Sequence, residues 1–121
     1  MGADTNLFFR LASAGNLTGD ETSAALDLGP MTQPMWVWLK IPTASGAGDT
    51  IDAKLLFCDS GGNTVDILAF KQLTNVAQVV RFPFFTLQPK IKLFLDTTDA
   101  GGGINYGAVE AWVDVAGRYT G

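Results

Sequence analysis

Apolar and polar positions alternate with a period of two through most of the chain, most clearly in PMWVWLKIP, Pro34 to Pro42. Successive side chains of a strand point to opposite faces, so Met35, Val37, Leu39 and Ile41 share one side while Trp36, Trp38 and Lys40 share the other. Aromatic and β-branched residues favour a pleated surface, and a proline at each end stops the ladder. The stretch is expected to be a central strand with its aliphatic side in the core. Two indoles and a lysine stem then lie on an outer face that something must cover.

The same alternation recurs on both sides of this strand. Thr5 to Ser13 sets Leu7, Phe9 and Leu11 against Phe8, Arg10 and Ala12, and Thr22 to Leu28 aligns Ala24, Leu26 and Leu28 before Gly29-Pro30 ends it. After a small-residue loop at Thr43 to Asp49, Ile51 to Cys58 places Ile51, Ala53, Leu55 and Phe57 together, with Asp52, Lys54, Leu56 and Cys58 opposite. Asp59-Ser60-Gly61-Gly62-Asn63 reads as a hairpin turn into Val65 to Leu73. Val76 to Phe82 is a further run that Pro83 should stop, which leaves Phe84-Phe85 as a core plug at a corner unable to continue a central ladder. Lys90 to Asp96 aligns Ile91, Leu93 and Leu95, and Asp99 to Gly103 is a glycine-rich flexible loop. The final run, Ile104 to Val115, sets Val109, Ala111, Val113 and Val115 against Tyr106, Glu110, Trp112 and Asp114.

Eight short runs separated by turn signals, with no segment of helical period, predict an all-β protein. The expected architecture is a single-domain antiparallel β-sandwich over residues 1–121, jelly-roll-like, of about eight strands. Loop lengths leave the strand order open.

Composition sharpens this picture. Charged residues make up 17% of the chain, below the roughly 25% of a typical soluble domain, which favours a protein that lives in an assembly. The 12 Asp and Glu outnumber 8 Lys and Arg, and the basic residues are scattered, so no nucleic-acid partner is expected. Neither a signal-like leader nor a bilayer-length apolar run stands out, so no membrane association or secretion is expected. Met1-Gly2 lacks the Ser or Thr that myristoylation wants at position 6, and the sequon at Asn16-Leu17-Thr18 carries little weight without a secretory route.

Candidate chemistry is sparse. The chain has no histidine, which removes the common nucleophilic triads and most zinc sites, and Cys58 stands alone as a small strand residue expected to be buried. Glu110 and Asp114 flank Trp112 on one strand face, an arrangement that superficially resembles a sugar-cleaving groove but is more often a solvated surface. Asp59 to Asn63 lacks the further acidic ligands of a calcium loop, and the glycines at 101–103 have no phosphate-loop spacing. No catalytic, cofactor-binding or metal-ligating residue is assigned, and the protein is not expected to be an enzyme. Three readings remain for the outward tryptophans: cover by the chain's own loops, a subunit interface, or a platform for stacking sugars. At the N-terminus, residues 1–12 are apolar at Leu7, Phe8 and Phe9 and suit a strand that adds to a partner. The interface candidates are therefore Leu7, Phe8, Phe9, Trp36, Trp38 and Lys40.

Five segments together resemble a known family: LTGDETSAALDLG at Leu17 to Gly29, PMWVWLKIP, FCDSGGN at Phe57 to Asn63, RFPFF at Arg81 to Phe85, and GRY at Gly117 to Tyr119. They resemble the auxiliary capsid proteins of tailed bacteriophages, also called decoration or cement proteins, from about Asn6 to Tyr119. The resemblance implies copies on the outside of an icosahedral head, made in the host cytoplasm, bound to the major capsid protein and self-associated, commonly as homotrimers. It carries no active-site motif and no cofactor. The alternative from another class is a carbohydrate-binding β-sandwich, an adhesion or wall-binding module using Trp36, Trp38 or Trp112.

Overall fold

The computed structural model describes residues 7–10, 16–29 and 33–115, the first of these as backbone. Nine strands are present among them: β1 (Leu7–Arg10), β2 (Glu21–Thr22), β3 (Leu26–Asp27), β4 (Met35–Ile41), β5 (Thr50–Cys58), β6 (Thr64–Ala69), β7 (Gln78–Phe84), β8 (Lys90–Thr98) and β9 (Glu110–Val115). All pair antiparallel. One sheet has the order β1-β9-β4-β7, and the other has β2-β8-β5-β6 with β3 also on β8.

Strands β2 and β3 are two pieces of one interrupted edge strand, because Thr22 pairs with Phe94 and Leu26 with Ile91 along the same neighbour. The interruption has a side-chain cause. Ser23 is buried; its N–H donates to the Leu93 carbonyl, and its hydroxyl accepts the Leu93 N–H at 2.8 Å, taking over a bond that a partner strand's backbone would make. Counting the two pieces as one gives eight strands, with sheet orders 1-8-3-6 and 2-7-4-5. That is the double Greek-key order of a jelly roll, so the antiparallel sandwich expected from alternation is the fold, and its strand order is now fixed.

The core lies between the sheets and is built from the positions that alternation placed inward. Met35, Val37, Leu39 and Ile41 of β4 face Ile51, Ala53 and Leu55 of β5, with Ile91, Leu93 and Leu95 of β8 beside them, all buried. Two ring pairs join the layers. Phe57 stacks on Phe84 with centroids 6.1 Å apart, and Phe70 stacks on Phe82 at 4.3 Å, closing the β6/β7 side of the sandwich. At the β5–β6 hairpin the Asp59 carboxylate accepts N–H groups of Gly61 and Asn63, both at 3.0 Å, and Gly62 supplies φ 84°. These bonds, led by that from Asn63, hold the Asp59 carboxyl below its ordinary value. The turn consumes the carboxylate that a calcium loop would need.

Three expectations need correction. Strand β7 runs through Pro83, which pairs with Trp36, because β7 is a sheet edge and the missing N–H faces no neighbour. Of the two phenylalanines beyond it only Phe84 plugs the core; Phe85 is 50% exposed. The last strand begins at Glu110, not at Ile104. Gly107 sits at φ +78°, and the Tyr106 N–H and Gly107 carbonyl bond Leu17 rather than extending β9, so Tyr106 turns into the core instead of joining the outer face. The β5–β6 register skips Val65, a bulge in β6, while Cys58 keeps its pairing with Lys90 on β8 and is fully buried, as expected.

Candidate functional site

The outer face of the β1-β9-β4-β7 sheet collects the tryptophans. Register places Arg81, Trp38, Trp112 and Phe8 in one row across the four strands, Pro83, Trp36 and Asp114 in the next, and Val79, Lys40, Glu110 and Arg10 on the other side. The indoles of Trp38 and Trp112 stack in parallel, with centroids 5.8 Å apart and an interplanar angle of 6°. The Arg81 guanidinium carbon lies 4.2 Å from the Trp36 ring centroid and 5.4 Å from that of Trp38. The four side chains thus form a continuous cation–π and π-stacked array.

This geometry answers what covers the indoles. Trp36, Trp38 and Trp112 are each half-buried, and among the described contacts their cover comes from neighbours in the same sheet rather than from loops. Trp38 Nε1 is buried with no hydrogen-bond partner among the described residues. A sugar platform needs a ring face turned to solvent. Here Trp112 and Trp38 take a face from each other, and Arg81 takes one from Trp36.

Sequence reasoning placed Trp36, Trp38 and Lys40 together on one face, and the structure does so. Lys40 is exposed, opposite Glu110 and Val79. Leu7, Phe8 and Phe9 fall on β1, the other edge of this sheet, with Phe8 in the tryptophan row and Leu7 and Phe9 opposite Val113 and Ala111. Residues 1–6 and 11–12 of the proposed arm, and the GRY segment, lie outside the described residues. Arg81 is the member that sequence reading missed. Its adjacency to Trp38 follows from the β4–β7 pairing, and a basic residue one position after two valines gave no other sign.

A second polar cluster sits where the loops gather at one end of the sandwich. Asp49, 1% exposed, accepts the Ser45 hydroxyl at 2.6 Å, the Gly46 N–H at 3.0 Å and the Ala100 N–H at 2.9 Å. The Ser45 bond is the chief cause of a carboxyl pKa below its ordinary value, with the Ala100 bond next. Beside it Tyr106 is enclosed and its phenol pKa is raised, first by burial and then by the Asp49 charge. A shallow depression of about 330 Å³ runs between residues 44–46 and 102–105. The Asp49 oxygens are already satisfied from three loop positions, so the cluster ties loops together and offers no free ligand. No group of three or more potential metal ligands occurs among the described residues.

The chain is thus a jelly-roll β-sandwich carrying an aromatic and arginine cluster on one outer face. No protein-family model matches it, and no curated protein matches it in sequence. Among solved structures it is similar to a chain in a structure of infectious bursal disease virus, Gx strain, at TM-score 0.51 and 14% identity over 95% of this chain and 32% of that one. The Gt strain of the same virus gives TM-score 0.51 and 16% identity, over 94% and 32%. A C-terminal family 22 carbohydrate binding module from Clostridium thermocellum gives TM-score 0.49 and 14% identity, over 93% and 88%. The chain spans about a third of the length of the viral chains it matches, and identities this low concern the fold alone.

Proposed function

We propose that this protein is a non-enzymatic structural component of a phage virion, which binds the outside of the capsid through contacts with the major capsid protein and stabilises the assembled head. The observation that carries this reading is the Trp36, Trp38, Trp112 and Arg81 array on an outer sheet face. Tryptophan and arginine are among the residues most enriched at the energetic centres of protein interfaces, and here they form one contiguous cluster. The likeness of the fold to a chain in a virus structure, the resemblance of five segments to decoration proteins, and the low charge support it. A protein that binds the joined lattice, with no comparable site on dispersed subunits, stabilises the head by mass action.

The test is co-sedimentation with empty heads at limiting protein concentration, comparing the native chain with Trp36→Ser/Arg81→Ala. Loss of anchors worth about 2 kcal/mol each weakens binding by roughly 30-fold per anchor. Far-UV circular dichroism checks that the variant is folded. Full occupancy by a folded double variant refutes the aromatic face as the binding face. If bare and decorated heads burst at the same temperature, the stabilising role itself is wrong. A carbohydrate-binding role predicts instead retention on a polysaccharide column that the same variant abolishes.

A further inference from the structure

Strand β7 is an open edge, and its pairing with β4 shows which of its backbone groups are free. The register runs without a shift from Met35↔Phe84 to Ile41↔Gln78. Pro83 has no N–H, so its pairing with Trp36 is of the non-hydrogen-bonded kind, and the bonds to β4 come from the even-numbered residues of β7. The N–H and C=O groups of Val79 and Arg81 therefore point away from β4, toward the open side of the sandwich. Pro83 offers a carbonyl alone and marks where any added ladder ends.

A groove of about 410 Å³ lies along that edge, between β7 and the segment that follows β6. Its far wall is anchored to the second sheet, where Leu73 exchanges two backbone hydrogen bonds with Ile51, at 2.9 and 3.0 Å. Leu73 belongs to the core, and Val80 and Phe82 pack against it, so the hollow has apolar walls. The polar lining is one-sided. Gln72 donates its amide to both oxygens of the Asp52 carboxylate, at 3.1 and 3.2 Å, and Gln78 donates to the Thr74 and Val76 carbonyls, at 3.3 and 3.2 Å. All these partners only accept, which fixes the orientation of both amides and leaves their carbonyl oxygens without a donor among the described residues. Lys71 has neither an ion pair nor a ring contact there. Arg81 also lines the groove, and no carboxylate does, in a chain whose net charge is −4.

We propose that this groove binds an extended acidic segment of a partner protein, which adds to the edge of β7. A peptide backbone matches the free N–H and C=O groups of Val79 and Arg81 and brings N–H donors to the two glutamine carbonyls. Lys71 and Arg81 select carboxylate side chains, and the hollow beside Leu73, Val80 and Phe82 takes an apolar one. An acidic polysaccharide shares the charge but not the rest. Phe82 already gives a ring face to Phe70, and a sugar has no alternating N–H and C=O groups to continue a ladder. The site does not rest on capsid binding, and Arg81 is the residue it shares with the tryptophan cluster.

NMR titration of the isotope-labelled protein tests it, using a pool of end-capped peptides of seven residues, the length of β7, made from valine, leucine, aspartate and glutamate in random order. At up to about 1 mM peptide the backbone amides of residues 71–74 and 78–82 and the side-chain amides of Gln72 and Gln78 are expected to shift. A pool with asparagine and glutamine in place of the acids should bind about tenfold more weakly. Lys71→Glu should weaken the acidic pool by about tenfold or more, the effect of losing a hydrogen bond to a charged group. Lys40→Glu, the same charge change on the tryptophan face, should leave binding within about twofold. Both lysines are exposed, so both variants keep the native melting temperature to within a few degrees. An acidic pool that shifts nothing, or shifts other segments instead, overturns the proposal. So does a neutral pool that binds equally well, or Lys71→Glu binding as the native chain does. An oligogalacturonate that shifts these signals when the acidic peptides do not assigns the groove to polysaccharide and overturns it as well.

Discussion

If the Trp38–Trp112 stack holds the outer face together, the two residues must be energetically coupled, and a double-mutant cycle measures that coupling. Replacing either indole with leucine keeps an apolar side chain on the strand but removes the ring contact at 5.8 Å. Both indoles are half-buried, so each single change costs about 1–2 kcal/mol in lost burial and contact. Trp38→Leu also loses the more distant of the two Arg81 contacts, worth about 0.5 kcal/mol at an exposed site. It forfeits no hydrogen bond, because Nε1 has no partner among the described residues. The double variant should cost less than the sum of the singles by about 0.5–1.5 kcal/mol, the excess attributable to an aromatic pair. Urea unfolding followed by far-UV circular dichroism reads the cycle, provided the slopes of the four proteins agree. Coupling indistinguishable from zero refutes the claim that the indoles cover one another.

Other outcomes follow from the core and the loops. Phe84→Ala should cost about 3–5 kcal/mol in thermal or chemical denaturation, because it removes the inter-sheet ring pair with Phe57, whereas Phe85→Ala should stay within about 0.5 kcal/mol. Gly107→Ala should destabilise by about 1–3 kcal/mol, since φ is +78° and an added Cβ would lie 2.8 Å from Thr43 Oγ1. Asp49 has a depressed folded pKa, so its contribution is fully present above the ordinary value of 3.8 and is lost as pH falls through the lower folded value. Ser45→Ala, which removes the largest cause of that shift, should flatten the fall in melting temperature below pH 4.

What the sequence made legible was the set of strands and their inward faces, because period-two alternation is local and β4, β8 and β5 as far as Phe57 obey it. What it concealed depended on neighbours. Pro83 reads as a terminator wherever the strand is central and as harmless on an edge, and only strand order tells the two apart. The Ser23 break is invisible for the same reason, since a serine in a strand becomes an interruption only when a partner N–H such as that of Leu93 is within reach. At the aromatic face the two indoles of β4 were evident from spacing, but Trp112 and Arg81 arrive from strands far away in sequence.

The position of β9 between β1 and β4 has a consequence for how the protein is made. Synthesis delivers β4 early, yet one of its two ladder partners lies at residues 110–115, so the first sheet cannot close until nearly all of the described chain has left the ribosome. The second sheet is less demanding, because the β5–β6 hairpin forms from adjacent segments. Folding should therefore start at that hairpin and finish with the insertion of β9. Such non-local pairing is slow, on the order of milliseconds to seconds for sandwiches. During that interval β4 displays an unpaired, tryptophan-bearing edge to its surroundings, the period in which incompletely folded chains are most exposed to aggregation and most in need of chaperones.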